Sequence, residues 1–351
     1  LPARNQHPKS IDLALQGGGA HGAFTWGVLE RLLDDERLRI EGISGTSAGA
    51  MNAVVLADGF ACGGGASGAK RALRAFWMAV SAASRFSPAQ RSPLDRLFGY
   101  WSLDRSPGYL WMQMAGTMLS PYDFNPLNIN PLRDLLGRLV DFDRVRMCDE
   151  IRLFISATNV RTGNARIFRG PEIDADRVMA SACLPQLYQA VEIDGEAYWD
   201  GGYMGNPALF PLIDETAAHD LLIIQINPIV RNELPRSAAE ITNRLNEITF
   251  NASLVREISS IMLLRQLIDE ESVERVRYTD MRLHRISGQA ELLQLNVSSK
   301  LNAEWEFLTH LHKVGYGTAD AWLRQNFDKL GSEPTLELAS LRGGMMSPGI
   351  G

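Results

Sequence analysis

Ile11-Asp12-Leu13-Ala14-Leu15 leads into Gly17-Gly18-Gly19-Ala20-His21-Gly22, and Ile40-Glu41-Gly42-Ile43 leads into Gly45-Thr46-Ser47-Ala48-Gly49. The first run reads as a buried strand. Its glycine loop opens a helix over Ala23–Leu33, where Phe24, Val28, Leu29, Leu32 and Leu33 share one broad face. The second run is a short strand that ends in a sharp turn. Ala48–Ala57, rich in Ala, Met and Val, follows as a buried helix. Strand, loop, helix, strand, turn, helix is the order of a parallel sheet with crossover helices, so the fold class is α/β.

Further strands are expected at Ile151–Thr158, Ala165–Phe168, Leu221–Ile226 and Met281–Ile286. Arg177–Ala182 starts a short helix that Pro185 stops. Asp58–Gly68 reads as an exposed glycine-rich loop and Ala69–Ala83 as an amphipathic helix. Ser84–Asn130 carries Pro88, Pro93, Pro107, Pro121 and Pro126, a density that rules out long regular elements and predicts short helices and loops laid over the sheet. Ala238–Glu274 is a long helical stretch. Ala303–Phe327 is a final helix, expected to break or kink near Gly315 and Gly317. No repeat or linker divides the 351 residues, which points to one domain.

Composition narrows the function classes. With 45% hydrophobic and 22% charged residues the chain has the balance of a folded soluble protein. A net charge of −6 argues against nucleic acid as a partner. Cys62, Cys148 and Cys183 are far apart, which suggests neither a metal site nor a disulfide framework and fits a reducing, cytoplasmic setting. No apolar run reaches the ~18–20 residues of a membrane span. Leu1–Ser10 is polar, without a signal-peptide core, and a start at Leu rather than Met leaves room for a preceding segment.

Three motifs carry chemistry. In Gly45-Thr46-Ser47-Ala48-Gly49 a strand-to-helix turn exposes the serine, and Gly45 and Gly49 leave room for its strained backbone. The following helix aims its N-terminal N–H groups at the site. A glycine-flanked N-cap serine is the plain alternative. Backbone N–H groups of the Gly17–Gly22 loop are left uncovered, as an oxyanion requires. Gly17, Gly19 and Gly22 also match a dinucleotide fingerprint, but that reading needs an acidic residue at the end of the next strand. Glu41 stands at its start instead, and the serine turn occupies the end. Finally, Tyr198-Trp199-Asp200-Gly201-Gly202-Tyr203 sets a carboxylate before two glycines, either a tight turn alone or a carboxylate facing a cavity.

The glycine loop, Gly-x-Ser-x-Gly and Asp-Gly-Gly, in this order, resemble the patatin-like phospholipase family. Met179-Ala180-Ser181-Ala182-Cys183-Leu184-Pro185 and Asn206-Pro207 are similar to its flanking runs. The resemblance covers about residues 10 to 230. It implies a three-layer α/β/α sandwich with a mainly parallel central sheet. Residues 11–230 would form the catalytic domain, with a loop-rich insertion over about 84–130. Residues 231–351 would be a helical extension packed on the same domain. It further implies a lipid acyl hydrolase of phospholipase A, lysophospholipase or carboxylesterase type. Ser47 would be the nucleophile and Asp200 the base of a Ser–Asp dyad, with Gly17, Gly18 and Gly19 as the oxyanion hole. Gly22, Gly45, Gly49, Gly201 and Gly202 would give structural support, with no cofactor or metal. The family usually carries Arg or Lys where this sequence has His21, which bears on head-group preference and pH response.

A Ser-His-Asp triad is the competing mechanism. None of His7, His219, His284, His310 and His312 lies in a loop of catalytic character. A non-catalytic lipid-binding module on the same fold is the competing function. The substrate class is a lipid or fatty-acyl ester, compatible with peripheral membrane contact. Tyr109–Met118, apolar and methionine-rich, reads either as core beneath irregular loops or as an acyl channel, lid or membrane-touching patch.

Overall fold

The computed structural model describes residues 8–85, 87–271 and 280–336. Its centre is an eight-stranded sheet. The strands are β1 (Lys9–Leu15), β2 (Leu38–Gly45), β3 (Arg152–Asn159), β4 (Ala165–Arg169), β5 (Val191–Ile193), β6 (Glu196–Asp200), β7 (Asp220–Gln225) and β8 (Arg282–Ser287). They lie in the order β5-β6-β3-β2-β1-β7-β8, with β4 also on β3. The run from β3 through β2, β1 and β7 to β8 is parallel, and β4, β5 and β6 pair antiparallel.

Alternate strand residues enter two separate cores, as the two-residue period of a strand requires. Leu13, Leu15, Ile155, Leu222 and Ile224 face one core, shared with Phe24 of α1 (Gly22–Leu33), Val54 of α2 (Ala48–Gly59) and Phe76 of α3 (Gly65–Ser84). Ala14, Phe154, Leu221 and Ile223 face the other. The chain is therefore a three-layer α/β/α sandwich around a mainly parallel sheet.

Between α3 and β3 come α4 (Pro93–Leu97), α5 (Pro107–Met118), α6 (Pro121–Phe124), α7 (Pro131–Leu139) and α8 (Phe142–Arg146). The prolines here start helices rather than break them. Pro93, Pro107, Pro121 and Pro131 each occupy the first helical turn, behind the caps Ser92, Ser106, Ser120 and Asn130. At that position the absent N–H has no partner to lose. Helix α5 does not bury the aromatic and methionine run. Trp111 is 65% exposed, Met114 64% and Met118 82%, which overturns the reading of this segment as core.

After α9 (Ala175–Ser181) and α10 (Phe210–Glu215), the sheet continues past residue 230. Leu254, Ile258 and Ile261 of α11 (Ala238–Glu271) join Leu212 and Ile213 of α10 in the second core. β8 extends the sheet, and α12 (Gln289–Leu292) leads to α13 (Trp305–Asn326), whose Phe307 and Leu311 complete the first core. Residues 272–274 at the predicted end of α11 lie outside the described residues. The predicted break at Gly315 is not there, because α13 is one uninterrupted helix. A Cβ on Gly315 would stand 2.0 Å from the Phe24 carbonyl oxygen, and one on Gly27 equally close to that of His312. These glycines let α1 and α13 approach. Asp58–Gly68 is not an open loop either, since Asp58 is buried against Arg144 and α3 already begins at Gly65.

Candidate active site

The edge of β3 that carries β2 also carries β6. Gly45 pairs with Ile155 and Asp200 with Ala157, while β4 takes the opposite edge over Phe154–Thr158. β2 runs parallel to β3 and β6 antiparallel, so the two strands meet end to end. Their last residues open the serine turn and the Asp-Gly-Gly turn. The Asp-Gly-Gly pattern places Asp200 in a turn. As the last residue of β6 it is fixed from both sides. Its N–H donates to Cys183 O at 2.8 Å, and its carbonyl accepts from Thr158 Oγ1 at 2.8 Å.

Ser47 caps α2 with φ 54° and ψ −120°, a strained conformation for a residue with a Cβ. The surroundings hold it. Its N–H donates to Ser181 Oγ at 2.9 Å, and Thr46 Oγ1 donates to Gly205 O at 2.6 Å. A Cβ on Gly49 would come within 2.2 Å of Leu15 O, so the turn can close on β1 only with glycine there. From Gly42 to Gly59 every residue is buried except Ser47. The fold thus presents one side chain of this segment to solvent, the hydroxyl.

That hydroxyl faces the Asp200 carboxylate and favours its ionised form. Asp200 is buried, and Gly202 N–H donates to its Oδ1 at 2.7 Å. Burial pushes its pKa up to about 7, against the opposing pull of Gly202 N–H, the Ser47 hydroxyl and the Lys300 charge. A carboxyl poised near neutrality can both take and return a proton.

The glycine loop lies over the serine turn, with Gly17 packed against the Ser47 Cβ. The N–H of Gly17 donates to Asn206 Oδ1 at 2.7 Å, and its carbonyl accepts from Asn227 Nδ2 at 2.7 Å. The donors of Gly18 and Gly19 have no acceptor among the described residues. Gly19, with φ +57°, is the one exposed residue of Ile11–Leu29.

The histidines are engaged elsewhere. His21 is buried on Ser299 Oγ at 2.8 Å, and burial, then the Lys300 charge, pulls its pKa down to about 3. It is neutral and brings no charge to the loop. His284 bonds Asp220, His312 bonds Glu30, and His310 stacks on Trp101. His219 precedes β7 and its carbonyl accepts from Arg282 N. His7 lies outside the described residues. No group of three or more His, Cys, Asp or Glu able to hold a metal occurs among the described residues.

The sequence model of the patatin-like phospholipase family matches residues 13–213, more than half of the chain. The chain belongs to the patatin-like phospholipase family. Membership implies hydrolysis of lipid acyl esters. Among solved structures, this patatin-like chain is similar to VipD from Legionella pneumophila, with TM-score 0.39 and 14% identity over 91% of this chain and 67% of that one. It is similar to the type III effector ExoU, with TM-score 0.34 and 14% identity over 91% and 53%. A third likeness is to the ExoU–SpcU complex from Pseudomonas aeruginosa, with TM-score 0.30 and 18% identity over 97% and 64%. The chain spans about two thirds of VipD and about half of ExoU. No curated protein matches it at a significant level.

Several residues of this patatin-like site carry no signature in the sequence. Gln16 accepts from the N–H groups of Ile226 and Asn227 and donates to Asn251, tying the loop base to α11. Phe250 lies against Gly202, and its ring centroid is 5.3 Å from that of Tyr203. Lys300 reaches the site from beyond β8. Each is brought in by tertiary packing, with no local pattern to mark it. A cavity of about 570 Å³ lies between Tyr122, Leu127, Met179, Cys183 and Tyr188, but neither Ser47 nor Asp200 lines it.

Proposed function

We propose that this chain hydrolyses lipid carboxyl esters through a Ser47–Asp200 dyad and an acyl-enzyme. The observation that carries the reading is that the one residue of Gly42–Gly59 that is not buried sets its hydroxyl facing a buried carboxylate. Ser47 Oγ attacks the ester carbonyl while its proton passes to Asp200. The carbonyl oxygen becomes an oxyanion, to which the free N–H groups of Gly18 and Gly19 and the N-terminus of α2 donate. Gly17 anchors this loop rather than donating, because its N–H is already held by Asn206. Asp200 returns the proton to the leaving alcohol. Water then gives Asp200 a proton as it attacks the acyl-enzyme, and Ser47 regains that proton as the fatty acid leaves. The chemistry needs no cofactor.

The exposed face of α5 supports contact with a lipid surface. Ser106–Tyr122 contains no charged residue, and Leu110, Trp111, Met114 and Met118 are exposed. No helix among the described residues is long and apolar enough to cross a membrane. Peripheral docking is the mode this face fits. The test is hydrolysis across a panel of phospholipids, lysophospholipids, acylglycerols and short esters, with Ser47→Ala as control. Ester hydrolysis that depends on Ser47 is the expected result. Lipid binding without turnover would instead mark a non-catalytic lipid-binding module.

A further inference from the structure

Ser299 and Lys300 grip the glycine loop at three points. Ser299 Oγ bonds His21 Nε2 at 2.8 Å. The Lys300 backbone lies under Gly19, where a Cβ would stand 2.4 Å from its carbonyl oxygen. Lys300 Nζ donates to Asn227 Oδ1 at 2.8 Å, and Asn227 Nδ2 in turn donates to Gly17 O at 2.7 Å. The ammonium also lies 5.7 Å from the centroid of Phe250, the ring that backs Gly202 of the Asp-Gly-Gly turn. One side chain from the segment after β8 therefore connects the oxyanion loop to the base.

We propose that Lys300 is the positioning residue of this site: through Asn227 it holds the glycine loop so that Gly18 and Gly19 stay open to the oxyanion, and it places a cation beside the Asp-Gly-Gly turn. The inference rests on the Ser47–Asp200 reading. It gives the C-terminal region a part in the chemistry as well as in the sheet. His21, buried and neutral, leaves Lys300 as the cation beside the loop.

The electrostatic surroundings are defined. Glu247, Asp200, Arg231 and His21 face Lys300, with Glu247 also paired to Arg231 and Arg244. Cys183, Tyr203 and Lys300 face Asp200. Although Lys300 as a residue keeps some solvent contact, its ammonium is enclosed. Burial lowers its pKa to about 8, with Glu247 and Asp200 opposing and Arg231 adding to the fall. Cys183 and Tyr203 are raised by burial and stay neutral near pH 7.

The experiment measures kcat/KM against pH on a soluble p-nitrophenyl ester for the full chain and for Ser47→Ala, Lys300→Met and Lys300→Arg. The wild-type profile should rise through about 7 and fall as Lys300 discharges near 8. Losing the cation in Lys300→Met should move the acidic limb up by about one pH unit and abolish the alkaline fall. Lys300→Arg keeps the charge, so its acidic limb should stay and its alkaline fall should vanish. A Lys300→Met profile that superimposes on the wild type after scaling reduces the residue to a structural prop and overturns the proposal. Should Lys300→Met fail to fold, an unchanged alkaline fall in Lys300→Arg overturns it equally. Full activity in Ser47→Ala would sink the dyad itself, and the role of Lys300 with it. Ser47-dependent activity with an unmoved Lys300→Met profile sinks the role of Lys300 alone.

Discussion

Gly45 and Asp200 sit on the same edge of β3, opposite Ile155 and Ala157, because β2 and β6 run head to head there. A parallel strand ends in the Ser47 turn, an antiparallel strand ends in Asp200, and β3 sets the distance between them. In the proposed dyad, this register is what brings two residues far apart in the chain together. The geometry of a triad instead comes from a histidine loop; here it comes from backbone pairing.

Asp200→Asn should lower kcat/KM by about 10³-fold, the scale of losing a general base, with the fold intact by circular dichroism. Ser47→Ala should lose at least as much. Near-normal hydrolysis by Asp200→Asn would point to another base.

Activity should fall as pH drops below about 7, where Asp200 takes up its proton. The sign for stability is opposite. The folded pKa lies above the ordinary carboxyl value of 3.8, so protonated Asp200 favours the fold in acid, and that contribution is lost as pH rises through about 7. Asp200→Asn should therefore raise Tm more at pH 8 than at pH 5. Equal shifts at both values would show that Asp200 ionises in the fold as readily as in water.

Asn206→Ala leaves the Gly17 N–H without its partner and frees Phe250 O. Stability should fall by about 1–3 kcal/mol, the cost of an orphaned buried polar group. kcat should drop while KM for a soluble ester changes little, as expected of a displaced oxyanion loop. Steady-state kinetics beside a denaturant titration separates the two effects.

The α5 face gives a prediction that depends on the form of the substrate. Trp111→Ala with Met114→Ala should slow hydrolysis of vesicle phospholipid while sparing a soluble short-chain ester. Equal losses on both would assign the face to folding instead.

Much of this architecture was legible because its signals are local. The strand–glycine loop–helix and strand–serine turn–helix units each announce themselves within a dozen residues. The two-residue alternation of Leu13, Ala14 and Leu15 between opposite cores follows the same logic. Other features misled. The density of prolines over Ser84–Asn130 signals short elements but not where they start, although the Ser-Pro pairs at Pro93, Pro107 and Pro121 are cap and first-turn signals. Gly315 read as a weak point of a helix because its purpose lies on another helix, at Phe24 O. Lys300 and Asn227 were invisible for the same reason, since neither touches its neighbours in sequence to do its work.

Gly315 and Gly317 offer a paired check on that account. Gly315→Ala forces a Cβ into Phe24 O, whereas a Cβ on the exposed Gly317 meets nothing. The first should cost about 1–3 kcal/mol through overpacking, and the second should gain about 0.5–1 kcal/mol from helix propensity. Thermal melts of the two variants read the difference directly.

In the proposed dyad, Ser47 is a nucleophile activated by Asp200. The most direct test of this activation is the rate of covalent labelling by a fluorophosphonate, with the modified peptide mapped by mass spectrometry, in wild type and Asp200→Asn. The predicted result is a single adduct on Ser47 whose formation slows at least tenfold in Asp200→Asn, in line with the contribution of a general base. An adduct on another residue, or wild-type labelling of Ser47 in Asp200→Asn, would contradict it.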